Sequence, residues 1–67
     1  MTPFEMLNFL FMCKKNGVVA EPCTANGKYW IKFLDSPYGD KRAETKMHNS
    51  EKQAFDEAMS MLWSDIV

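Results

Sequence analysis

The sequence predicts an α+β domain in the order α-β-β-β-α, a three-stranded antiparallel sheet with two helices packed on one face. Three observations predict it. A capped apolar segment opens the chain, an Asn-Gly pair joins two alternating runs, and a second capped segment carries an apolar stripe at helical spacing. Sixty-seven residues fit one domain spanning 1–67. A chain of this length buries only about 60% of its unfolded surface. Its stability is expected at roughly 3 to 10 kcal/mol.

The first helix is expected over Pro3–Lys15. Thr2 is a suitable N-cap, Pro3 suits the first helical position, and Glu5 stands three residues after the cap. Lys14 and Lys15 complement the C-terminal end of the helix dipole, and Asn16-Gly17 supplies a left-handed stop.

A hairpin follows, Val18–Ala25 and Lys28–Leu34 around Asn26-Gly27. A two-residue turn fixes the register: Ala25 opposite Lys28, Cys23 opposite Trp30, Pro22 opposite Ile31, Glu21 opposite Lys32, Ala20 opposite Phe33. Glu21 and Lys32 are then placed to form a cross-strand ion pair. Pro22 falls in a non-hydrogen-bonded pair, which makes the first strand an edge. Val18, Ala20, Pro22, Tyr29, Ile31 and Phe33 share the expected core face. Val19, Glu21, Cys23, Trp30, Lys32 and Leu34 share the other.

Residues Asp35–Asp40 read as a loop by composition. Lys41–Met47 alternates Arg42, Glu44 and Lys46 with Ala43, Thr45 and Met47 and is expected as the third strand. The second helix, expected over about 50–65, opens on Ser50 as N-cap with Gln53 as its capping-box partner. Phe55, Ala58, Met59, Leu62 and Ile66 form its stripe.

The function classes narrow by composition. Apolar residues are 46%, charged residues 25%, and the net charge is −1, which suits a folded domain and disfavours a dedicated phosphate-backbone binder. The lone histidine, His48, and two cysteines, Cys13 and Cys23, assemble neither a catalytic triad nor a zinc spacing. The cysteines are expected to be buried and reduced, and His48 to be a solvated or capping residue. No catalytic residue, cofactor or metal ligand is therefore assigned. The run Phe4–Cys13 is too short to span a bilayer and lacks the features of a signal peptide, so the cytoplasm is the expected compartment.

Helix 1 holds more apolar residues than one sheet face requires. With Leu7, Leu10 and Phe11 taken as the core stripe, Met6, Phe9 and Met12 are a surplus. That surplus either wraps the edges of a small core or meets a partner, since large exposed apolar patches are rare on monomers. The expected protein-binding residues are thus Phe9 and Met12 on the helix, with Trp30, Lys32, Glu21 and Leu34 on the outer sheet face. The partner would be another protein or a second copy of the chain.

The element order, the Leu7-Asn8 pair, and the segment Asn49-Ser50-Glu51-Lys52-Gln53-Ala54 leading to Ala58 resemble the double-stranded-RNA-binding domain over nearly the whole chain. That resemblance implies RNA contacts from helix 1, the hairpin turn and the start of helix 2, which here are Asn8, Asn26, Lys28 and Lys52. Such modules read A-form shape through phosphates and 2′-hydroxyls. Where the family carries a lysine cluster, this chain offers Lys52 beside Glu51, and Phe9 and Met12 stand near positions that are polar in RNA-binding members. Nucleic acid is therefore the alternative partner. The leading expectation is a non-catalytic protein-interaction module, an inhibitor or adaptor of the kind that phages and other mobile elements encode.

Overall fold

The computed structural model describes residues 2–64, in the order α1 (Pro3–Lys15), β1 (Val19–Ala25), β2 (Lys28–Leu34), β3 (Lys41–Glu44) and α2 (Glu51–Trp63). The sheet is antiparallel with strand order β1-β2-β3. α1 packs on β1 and α2, and α2 lies over β2. The topology is the one the resemblance implied. Ile66, expected in the stripe of α2, lies outside the described residues.

Local chemistry accounts for the element ends. The Thr2 hydroxyl accepts from the Glu5 amide at 3.2 Å, and the Ser50 hydroxyl accepts from the Gln53 amide at 3.2 Å, so each helix start has an orphan donor satisfied. α1 ends at Asn16, and Gly17 (φ 69°) turns left-handed so that the Val18 amide reaches the Cys13 carbonyl at 3.0 Å. Asn26 (φ 53°) and Gly27 (φ 74°) are both left-handed, as a two-residue type I′ turn requires. All five expected cross-strand pairs of the hairpin are present. Glu21 and Lys32 face each other, but their side chains do not close into an ion pair.

The third strand is shorter than its alternation suggests. Ladder pairing stops at Glu44, and Thr45 takes over with its side chain. The Thr45 amide donates to the Ile31 carbonyl at 2.9 Å, and the Ile31 amide donates to the Thr45 hydroxyl at 3.0 Å. A side-chain oxygen thus replaces a ladder carbonyl as the chain leaves the sheet, and Met47 ends up 63% exposed. One bridge follows, with Tyr29 and His48 exchanging main-chain bonds of 2.8 and 2.7 Å.

β3 also carries a bulge, since Ala43 opposes Phe33 while Lys41 opposes Leu34. The extra residue is Arg42, and the bulge re-aims it. Its guanidinium donates to the Asn16 carbonyl at 3.0 Å and to Asp35 at 2.8 Å, joining the end of α1 to the loop after β2.

The core contains Phe9, Met12, Cys13, Val18, Ile31, Phe33, Ala54, Phe55, Ala58 and Leu62. Helix 1 therefore presents the opposite face from the one expected. Phe9 and Met12 are buried, whereas Leu7, Leu10 and Phe11 are 68%, 53% and 64% exposed. Both rows have helical spacing, and the packing of Phe9 on Phe33 and Phe55 selects the inward one. Pro22, expected on the core face, is exposed at the sheet edge. Of the two thiols expected to be buried, Cys13 is, and Cys23 is half-exposed.

Candidate functional site: the outer face of helix 1

An α-helix returns to the same face every three or four residues. Phe4, Leu7 and Phe11 stand at i, i+3 and i+7, and Leu10 adjoins Leu7 and Phe11. With Phe4 at 79% exposure, all four are largely in solvent. Taking each side chain at its usual size, they expose roughly 500 Å² of apolar surface, near the upper end of what a monomer normally shows. Lys14 continues the row at its C-terminal end, and Glu5 lies in the first turn.

Sequence reasoning divided the apolar residues of α1 the wrong way, although two signals were present. The row Leu7, Leu10, Phe11 runs on into Lys14, a residue that stays in water. The row Met6, Phe9, Met12 includes Cys13 at its edge, one of the most buried residue types.

The expected partner-binding residues are dispersed. Phe9 and Met12 are core residues and cannot meet a partner without unfolding. Leu34 is only 8% exposed, because it sits in the central strand between Val19 and Lys41 beside the bulge, so it too is withdrawn from the surface. Trp30, Glu21 and Lys32 do share the sheet face away from the helices, with Trp30 opposite Cys23 and Glu21 opposite Lys32. Trp30 and Lys32 are half-buried and Glu21 is exposed.

The residues implied by the RNA-binding resemblance are partly occupied. The Lys28 ammonium bonds to the Asn49 side chain, bringing the hairpin end to the start of α2. Lys52 pairs with Asp56 at 2.9 Å. That hydrogen bond and the Asp56 charge raise its pKa, with Glu5 adding to the effect. Asn8 and Asn26 are exposed. The start of α2 thus holds Glu51 and Asp56 beside its lysine, with Glu5 near enough to be felt.

His48 is a structural residue here. Its Nε2 lies 2.6 Å from a Glu57 carboxylate oxygen, and the same oxygen accepts from the Lys46 amide at 3.1 Å. The pair holds the segment after β3 against α2. A depression of about 90 Å³ lies between the end of β1 and the first turn of α2, bordered by Pro22, Cys23, Trp30 and Glu51. It is far smaller than an ordinary small-molecule site. Among the described residues no group of three His, Cys, Asp or Glu could hold a metal ion, and no helix is long and apolar enough to cross a membrane.

Both sheet edges discourage strand addition. Pro22 puts a residue without an N–H on the free edge of β1, and β3 is four residues long, bulged and basic. Among the described residues, the outer face of helix 1 gathers four of the exposed large apolar side chains on one element. Comparison with protein-family models, curated proteins and solved structures gave no match.

Proposed function

We propose that this protein is a non-catalytic interaction module, working as an adaptor or inhibitor, that docks a protein partner on the outer face of α1. The observation that carries the reading is the exposure of Phe4, Leu7, Leu10 and Phe11 on one side of a helix whose other side already fills the core. Keeping four large apolar side chains in water has a solubility cost, and partner binding removes them from it. The mode is helix packing, because the sheet edges are blunted. Trp30 and Lys32 form a second, more polar surface on the far side of the sheet.

The test pairs wild type with a Leu7→Gln, Phe11→Gln variant as bait against lysate of the native host. A partner held by the wild type and lost by the folded variant is the expected result. A partner held equally by both sends the search to the Trp30 face. The alternative, duplex RNA, is checked by gel shift at physiological salt. We expect no saturable complex below about 10 µM, since generic phosphate contacts give dissociation constants of about 10⁻⁴ to 10⁻⁶ M. Tight saturable binding would establish the nucleic-acid reading instead.

A further inference from the structure

We infer that the outer face of α1 is covered by a second copy of this chain, the two helices packing antiparallel about a two-fold axis near Leu7. The inference rests on the interaction reading above and names the partner.

Three features point to it. The first is area. Each chain offers roughly 500 Å², so two copies bury at most about 1,000 Å², the size of a weak, transient specific interface. The second is self-complementarity. A two-fold interface must match one patch to itself. With the axis near Leu7, Phe4 of each copy lies against Phe11 of the other, and the two Leu7 side chains meet at the centre. The third is charge. Lys14 continues the outer row in the last turn, whereas Glu5 stands on the other side of the helix, towards Lys52. Antiparallel packing keeps the two Lys14 side chains at opposite ends of the contact and opposes the two helix dipoles. Parallel packing would place lysine on lysine.

An interface of this size is expected to be weak, with a dissociation constant on the order of micromolar. Sedimentation velocity over a concentration series measures it directly. The wild type is expected to pass from monomer to dimer as concentration rises. Leu7→Gln and Phe11→Gln should each weaken dimerisation by roughly 30-fold or more, the size of a hot-spot loss, while keeping the wild-type circular dichroism spectrum. Orientation is read by disulfide trapping in a Cys23→Ser background. A mixture of Phe4→Cys and Phe11→Cys chains should cross-link to each other, and Phe4→Cys alone should not.

A wild type that stays monomeric throughout overturns the inference. If it does so while Phe11→Gln still loses a partner bound by the wild type, the interaction reading stands without the dimer. If the variant loses nothing, both fail. A dimer insensitive to Leu7→Gln and Phe11→Gln places the interface elsewhere and overturns the inference. Efficient trapping of Phe4→Cys with itself overturns the antiparallel arrangement.

Discussion

Phe9 meets Phe55 edge to face, with ring centroids 5.2 Å apart and ring planes at 77°. This contact joins the two helices, and the tilted packing of Phe9 on Phe33 at 6.4 Å joins both to the sheet. It fixes which side of α1 turns inward, and hence which side is left for a partner.

The two faces of α1 should respond differently to truncation. Phe9→Ala empties a site 1% exposed and should cost about 3 to 5 kcal/mol, a large share of the stability of so small a domain. Phe11→Ala removes a ring already in water and should change stability by no more than about 0.5 kcal/mol under conditions where the protein is monomeric. Urea unfolding of the two variants at low concentration gives the comparison. Equal losses would mean that both faces are packed.

Thr45 should be the most sensitive polar residue. Its hydroxyl accepts from the Ile31 amide at 3.0 Å and donates to the Lys46 carbonyl at 2.8 Å, and the residue is 5% exposed. Thr45→Val keeps the shape but leaves a buried amide without its acceptor, which should cost about 1 to 3 kcal/mol. Thr45→Ser keeps the hydroxyl and should cost less. Denaturant midpoints order the three proteins. A stable Thr45→Val would show that water or a shifted strand satisfies Ile31.

Arg42 should matter through geometry as much as charge. Three of its contacts fall on two acceptors, Asp35 and the Asn16 carbonyl. The planar guanidinium reaches both at once, and an ammonium cannot reproduce that fork. Arg42→Lys should therefore recover little of the stability lost in Arg42→Ala. Thermal melts of both variants check this, and full recovery by lysine would reduce the contact to a simple surface ion pair.

The thiols should make the protein sensitive to alkali. Burial pushes Cys13 up from 9.0 to about 11. Its folded pKa exceeds the unfolded one, so its contribution is complete below pH 9 and falls away as pH rises towards 11. Melting temperature should drop across that window, and a Cys13→Ala variant should show a smaller drop. Cys23 is half-exposed, and its pKa is raised by desolvation, partly offset by Lys32. A thiol reagent at neutral pH should label Cys23 and spare Cys13. Rapid labelling of both would show that α1 opens readily.

Much of this fold could be read from local signals, because its element ends depend on short-range chemistry. Thr2 and Ser50 cap helices through neighbours three residues away, and Asn26-Gly27 sets the whole hairpin register. What escaped depends on contacts distant in sequence. The inward turn of Phe9 is decided by Phe33 and Phe55, and the end of β3 by the Thr45 bond to Ile31. The bulge at Arg42 has no mark in the alternation. The candidate site was half legible: the surplus of apolar residues on α1 was plain, but periodicity alone could not say which row would be the surplus.

One apolar face of α1 holds the fold, and the other holds a second copy of the chain. Melting temperature measured across a wide dilution series tests it, because a folded protein that associates gains stability with concentration by mass action. The wild type should melt higher as concentration rises, whereas Phe11→Gln should stay folded and show a much smaller rise, confined to the highest concentrations. A Phe11→Gln protein that unfolds as readily as Phe9→Ala, or a wild type and variant that melt alike at every concentration, would contradict it.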